Sequence, residues 1–169
     1  MIRSLVFLFF LFGCQPSLWC QQISVQSAEI TFHFTSKDVE GSIGGFNSSS
    51  MIDLGNLTES KFSGSVQVET LKTGNFLRDW SLKGGKYFDA DAYPSILFKS
   101  TKISGTTDGT FQVTGNLTLK GTTKPITFTF SRKDNRLIGL TSLFTSDFGI
   151  HIKDEREENE VDVTIVLNF

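Results

Sequence analysis

The part of this chain that can fold has no cysteine. Both cysteines of the 169-residue sequence, Cys14 and Cys20, fall in an N-terminal leader. That excludes disulfide staples, a thiol nucleophile and thiolate metal ligands, so the domain must rest on its own apolar core. Histidine is almost as scarce. His33 and His151 stand alone, neither with a second histidine at a metal-ligand spacing. His33 lies on the polar side of an alternating segment and His151 beside an acidic run, both positions that suit solvent-facing rings. There is no Gly-x-Ser-x-Gly nucleophile elbow. Gly84-Gly85-Lys86 runs into Tyr87 without the glycine spacing of a phosphate-cradling loop. Asp89 and Asp91 precede Tyr93-Pro94 and read as turn residues rather than as a catalytic carboxylate pair. The chain is therefore expected to have no catalytic residues, no metal and no cofactor.

Strong charge is lacking too. The formal net charge is −2, and loss of Arg3 with the leader makes it −3. Such a balance provides no electrostatic footprint for nucleic acid. The leader itself has a short positive start, Met1-Ile2-Arg3, and an unbroken apolar run over residues 5–12. This run is far short of the about 20 apolar residues that a membrane-spanning helix needs, and the pattern is that of a secretory signal peptide. Two cleavage readings stay open. One removes residues 1–20 and leaves a domain over 21–169. The other treats Leu11-Phe12-Gly13-Cys14 as a lipoprotein box, with residues 1–13 removed and Cys14 lipidated. Either places the mature protein outside the cytoplasm, periplasmic or secreted in the first case and anchored in the second. No later run is long enough to cross a membrane. Asn-x-Ser/Thr triplets at Asn47, Asn56 and Asn116 are short enough to arise by chance.

What the sequence does contain is period-two alternation. Ile30, Phe32 and Phe34 alternate with Thr31 and His33, and Phe62, Gly64, Val66 and Val68 with polar neighbours. Phe111, Val113, Leu117 and Leu119 form the cleanest apolar face. Ile126, Phe128 and Phe130 make the next, and Val161, Val163, Ile165, Leu167 and Phe169 the last. Further strands are expected over residues 39–46, 51–54, 95–103 and 137–144. Turns are expected at 105–109, where Asp108-Gly109 is a hairpin signal, and at 121–125 and 134–135. Eight or more such strands predict an all-β, antiparallel barrel or sandwich. The acidic run 154–160 reads as a solvated loop before the last strand.

One stretch breaks the alternation. Residues 73–93 place Phe76 and Trp80 at helical spacing, with Leu77 beside them. Thr73 or Asn75 can cap the start, Asp79 and Lys83 stand at i, i+4, and Gly84-Gly85 provides a stop. A short helical insert over about residues 75–88, its aromatic side turned inward as a plug or lid, is the expectation. Phenylalanine is the other excess. Four of the seventeen (Phe7, Phe9, Phe10 and Phe12) belong to the leader, which leaves thirteen in the domain. They either fill a core or line an elongated cavity for an apolar chain, and composition does not separate the two.

The motifs narrow the choice. Thr73-Gly74-Asn75, Arg78-Asp79, Leu82, Phe88-Asp89-Ala90 and the run from Tyr93-Pro94 to Ser100-Thr101 resemble the central signature of the YceI-like family. The segment from Gly115-Asn116-Leu117 to Thr123-Lys124-Pro125 resembles its second motif and Ser146-Asp147-Phe148-Gly149-Ile150 its third. The resemblance implies an exported, lipocalin-like antiparallel barrel that binds a polyisoprenoid or another long-chain amphiphile in its interior without catalysis. On that implication the ligand-lining residues are Phe32, Phe34, Phe62, Phe98, Phe111, Phe128 and Phe130. Phe76, Arg78, Trp80 and Phe88 join them from the insert, and Phe148 from the third motif. Two positions depart from the family pattern: Ser81 replaces a histidine, and Thr145-Ser146 replaces an arginine before Asp-Phe-Gly. Two phosphate donors are thus absent, which disfavours a polyprenyl phosphate relative to other lipids. Arg78 remains, with Lys83, Lys86, Lys120 and Lys124 as helpers; it either contacts the ligand or pairs with Asp79. The partners expected are an isoprenoid or fatty-chain lipid and, left open, a second copy in a homodimer. The rival readings are an envelope structural, interaction or stress-response protein with a filled core, and a lipid hydrolase or isomerase.

Overall fold

The computed structural model describes residues 22–105 and 109–169. The leader, both of its cleavage readings and the Asp108 hairpin signal lie outside the described residues. Eleven strands are present among those described. They are β1 Gln22–Ile23, β2 Ser27–Phe34, β3 Val39–Ile43, β4 Asn47–Ser48, β5 Ile52–Asp53, β6 Ser63–Gln67, β7 Ser95–Gly105, β8 Thr110–Leu119, β9 Thr122–Lys133, β10 Arg136–Phe144 and β11 Glu160–Asn168. Nine form one antiparallel sheet in the order β3-β2-β11-β10-β9-β8-β7-β6-β4, and β1 with β5 makes a separate pair.

The alternation read from the sequence becomes the inside and outside of a curled, partly closed barrel, because successive strand side chains face opposite sides. On β8, Phe111, Val113, Gly115, Leu117 and Leu119 are all buried while the residues between them are not. The expected strand over residues 39–46 ends early, as β3 at Ile43, and β4 begins only at Asn47. Gly44-Gly45 separates them, with Gly45 at φ 65°, a left-handed conformation that glycine adopts without a Cβ penalty. Residues 51–54 form β5 as expected, but β5 pairs with β1 beneath the barrel rather than joining its wall.

Curling brings the two sheet edges together. Ser42 N donates to Lys72 O at 2.8 Å and Lys72 N to Ser42 O at 2.9 Å, while Gln67 N donates to Gly44 O at 2.9 Å. A bulge between Ser100 and Lys102 on β7 adds local twist, one way a sheet is bent towards closure. The wall also has a gap. The β9–β10 ladder runs only from Arg136↔Lys133 to Leu140↔Thr129. Beyond it the strands diverge around a slot of about 280 Å³, bridged where the Thr141 hydroxyl donates to Thr127 O at 2.8 Å.

The strand pairings define two ends. At the base, Ile52, Phe62, Phe111, Val113, Phe128, Phe130, Leu137 and Leu167 form the largest buried cluster. Phe62, Phe111 and Phe130 form a triangle of rings, with Phe62 and Phe111 5.3 and 5.5 Å from Phe130 and 6.1 Å from each other, centroid to centroid. The opposite end gathers the β2–β3, β8–β9 and β10–β11 connections and the long β6–β7 connection, which contains the helix α1, Phe76–Lys83.

Candidate functional site: an apolar cavity with a cationic mouth

Between the aromatic base and this opposite end lies a cavity of about 550 Å³. Its existence answers the question that composition left open. Thirteen phenylalanines do not fill the barrel, because several rings lie flat against the wall over glycines of the neighbouring strand. A Cβ at Gly115 would stand 2.7 Å from Phe98 Cε2, and one at Gly139 would stand 2.6 Å from Phe130 Cζ. Phe32 covers Gly41 in the same way. Aromatic rings over glycine gaps recover the packing that glycine lacks and leave the lumen free.

The lining is contributed by nearly every strand. Phe32 and Phe34 of β2, Phe98 of β7, Phe128 and Phe130 of β9, and Phe62 beside β6 face the cavity, as does Phe88 after α1. The aliphatic lining went unnamed in the sequence reading, although it carries the same period-two parity: Ile30, Val66, Leu117, Leu143, Val163 and Ile165 are examples. Phe111 and Phe148, expected on the lining, are core residues. Phe111 is sealed beneath Phe130 in the base, and Phe148 packs with Leu117, Leu119 and Ile150. Each is only 2 % exposed.

The insert lies against the cavity as a plug or lid would, but its aromatic side is turned outward rather than inward. Asn75 caps α1, its Oδ1 accepting from Arg78 N at 3.0 Å, and Gly84 N closes the last turn on Ser81 O at 3.1 Å. Existence and limits of the helix thus follow from its caps, but its orientation is set by Thr73. The Thr73 hydroxyl accepts from Arg78 Nε at 2.6 Å and donates to Asp79 Oδ1 at 2.5 Å. Its main chain is used too: Thr73 N donates to Asp79 Oδ1 at 2.8 Å and Arg78 Nη2 donates to Thr73 O at 2.8 Å. These bonds turn Arg78, Asp79 and Leu82 towards the barrel. At about 100° per residue, Phe76 and Trp80 then occupy the far side of the helix. Neither contributes to the cavity lining; Phe76 is 80 % and Trp80 73 % exposed. Asp79 does not pair with Lys83, which lies 4.0 Å from Glu69 instead.

Arg78 does not form the expected ion pair with Asp79; both side chains bind Thr73 instead. The Arg78 side chain also lines the cavity. The Thr73 hydroxyl is the main influence holding the Asp79 carboxyl below its ordinary value of 3.8, with Lys83 and Arg78 adding smaller attractions. A second cation stands at the same end. Lys37, in the turn Thr35–Lys37 after β2, lines the cavity and was missed by the sequence reading because nothing in its local pattern marks it. Among the described residues, Lys37 and Arg78 are the only charged side chains on the lining. The other proposed helpers lie elsewhere. Lys120 Nζ donates to Gly85 O and Lys86 O at 3.2 and 3.1 Å, and Lys124 borders the wall slot. At that slot Arg156 binds Asp147 through Nε and Nη2, at 2.8 and 2.7 Å. The hydrogen bond from Arg156 is the chief reason the Asp147 carboxyl lies below its usual range.

The acidic run before β11 is exposed over residues 154–158, as expected of a solvated loop, but it is anchored at its end by Asn159. Asn159 is fully buried, and its side-chain oxygen accepts from Ile152 N and Lys153 N at 2.8 and 3.0 Å. Its amide donates to Lys153 O and Glu155 O at 2.9 and 2.6 Å, fixing the loop beside the mouth.

A family model, the YceI-like domain, matches residues 22–169. The chain belongs to the YceI-like family. A UPF0312 protein of Vibrio parahaemolyticus is 32 % identical over 118 residues, covering 68 % of this chain and 62 % of that protein. A UPF0312 protein of Pseudomonas putida is 35 % identical over 101 residues, 54 % of this chain and 53 % of that one. The YceI-like chain thus aligns with less than two thirds of the length of each of these relatives. Solved structures share the fold: Burkholderia cenocepacia BcnA has a TM-score of 0.74 at 20 % identity, covering 83 % of this chain and 94 % of that one. A Campylobacter jejuni YceI protein has a TM-score of 0.67 at 15 % identity, covering 98 % of both. A domain described as polyisoprenoid binding, from Saccharophagus degradans, has a TM-score of 0.58 at 12 % identity, covering 86 % of this chain and 95 % of that domain.

Proposed function

We propose that this protein is a non-catalytic carrier that holds one long-chain amphiphile, with its apolar chain inside the barrel and an anionic head group at the Lys37–Arg78 end, in an extracytoplasmic compartment. The observation that carries this reading is the cavity itself: about 550 Å³, walled by aromatic and aliphatic side chains, with two cations as its only charged lining residues among those described. At about 30 Å³ for a water-sized group, that volume holds roughly eighteen methylene-sized units. Eighteen methylenes at about 0.8 kcal/mol each make a transfer gain of about 14 kcal/mol. Association and ordering cost about 4–15 kcal/mol, so the tail alone leaves a modest net affinity. Charge-assisted hydrogen bonds at the mouth then decide which amphiphile is retained. The matching chain is a fatty tail or an isoprenoid of comparable length. A much longer polyisoprenoid leaves part of itself outside. The likeness to the Saccharophagus domain, which is described as polyisoprenoid binding, supports the same class of ligand.

Native mass spectrometry of protein purified from an exporting bacterial host, followed by organic extraction, tests this. The expected result is a discrete added mass that releases one anionic lipid. Val163→Trp, which drives an indole into the lumen, abolishes the added mass while circular dichroism stays unchanged. Wild-type protein that carries no lipid, and takes up none when offered fatty acids and isoprenoid acids or phosphates, overturns the reading.

A further inference from the structure

The outer face of α1 has no partner in the fold. Phe76, Leu77 and Trp80 are 80 %, 73 % and 73 % exposed, the most exposed of the large apolar side chains among the described residues. The opposite face of the same helix lines the cavity mouth through Arg78, Ser81 and Leu82. Exposed apolar side chains scattered singly are ordinary, but three on one two-turn helix beside a cavity entrance are not. We propose that this face docks the protein on an anionic lipid bilayer, with α1 lying in the interface and the cavity mouth turned towards the membrane that supplies or receives the ligand. This proposal rests on the carrier reading for its purpose, though not for its geometry.

Three features favour a bilayer over a protein partner. First, phenylalanine, leucine and tryptophan are the side chains that interfacial helices bury at the acyl boundary. Second, lysines that can meet anionic head groups stand beside the helix although the chain as a whole is at −2. Lys83, Lys86 and Lys120 flank it, with Lys120 held at its C-terminal end by the carbonyls of Gly85 and Lys86. Lys83 is offset by Glu69 at 4.0 Å and Asp79 is turned inward onto Thr73, so the cations that remain are Lys86 and Lys120 just past the helix, with Asp89 and Asp91 following them in the chain. Third, the patch is small. Two aromatics bury about 150–250 Å² each, well short of the about 800 Å² per partner of a stable protein interface.

The test uses the full chain with Trp19→Phe, so that Trp80 is the only tryptophan. A site-specific signal is needed because the apolar run 5–12 would hold any chain that retains it on a vesicle by itself. Trp80 emission is recorded with vesicles of phosphatidylcholine, alone or mixed with phosphatidylglycerol, with and without bromine on the acyl chains. The expected result is a blue shift and bromine quenching with the anionic vesicles. Both are lost in Phe76→Ser/Leu77→Ser, and Lys86→Gln needs about five-fold more anionic lipid for the same quenching. Trp80 that stays unquenched overturns the proposal. So does a Trp80 already blue-shifted without vesicles in a dimer that Phe76→Ser/Leu77→Ser dissociates, since a second copy then covers the face. Native mass spectrometry of the same samples separates the two readings. Lipid-loaded protein with unquenched Trp80 sinks docking alone, whereas quenched Trp80 in protein that never acquires lipid supports docking and sinks the carrier.

Discussion

Thr73→Val removes one hydroxyl and almost nothing else, and the structure predicts a pH-dependent loss of stability from it. Thr73 is 9 % exposed, and valine keeps its shape and its backbone bonds to Asp79 and Arg78. What disappears is the hydroxyl that accepts from Arg78 Nε and donates to Asp79 Oδ1. Hydrogen bonds to charged groups contribute about 1.5–3 kcal/mol each. Arg78 and Asp79 are both half-buried, so water replaces part of what is lost, and the net cost is about 1–2 kcal/mol. In a chain of this size that lowers Tm by about 3–6 °C at neutral pH. The Asp79 carboxyl is depressed in the folded state. Its contribution is therefore complete above the unfolded carboxylate value and lost as pH falls through the lower folded value. The gap between wild type and variant should narrow in acid to the Arg78 share, which does not titrate. Urea unfolding across the acid range measures the gap, and an NMR titration of the Asp79 carboxyl should show its pKa rising towards 3.8 in the variant. An equal stability gap at neutral and acid pH, with an unmoved Asp79 titration, would refute the reasoning. In an Asp79→Asn background the pH-dependent part of the gap should vanish.

Two further outcomes follow from buried geometry. Asn159→Ala strips four hydrogen bonds from the loop before β11 and leaves buried main-chain groups unpaired, so a loss of about 3 kcal/mol or more is expected in denaturant unfolding, with faster proteolysis near residues 152–158. Gly41→Ala places a Cβ against the Phe32 ring and 2.6 Å from Lys72 O, the acceptor that ties Ser42 to the facing edge. It should cost about 1–3 kcal/mol and speed hydrogen exchange at the Ser42 and Lys72 amides, where unchanged protection would show that the seam tolerates the overlap.

The strands were legible because alternation is a local signal: Phe111, Val113, Leu117 and Leu119 declare one face wherever the strand lies. The helix was legible as well, since Asn75 and Gly84-Gly85 act within a turn of the residues they cap. Its facing was not. Phe76 and Trp80 look like the buried side of an amphipathic helix, and a rule that turns apolar residues inward places them in the barrel. Thr73, outside the helix, turns Arg78 and Asp79 inward and thereby turns the aromatics outward. Lys37 went unread for a related reason. It becomes part of the mouth only when the β2–β3 connection arrives beside α1 through pairings remote in sequence.

By itself the sequence determined a domain without thiol chemistry, an antiparallel β architecture, a capped helical insert and membership of the YceI-like family. Each depends on residue types or on spacings shorter than a strand. Only the tertiary structure decided that the barrel is hollow, which side of α1 faces it and which cations stand at its mouth. The physical reason is that these depend on what lies across the sheet. Phe32, Phe98 and Phe130 lie back against the wall because a glycine stands on the neighbouring strand, and a helix face is inner or outer according to which distant side chain binds it.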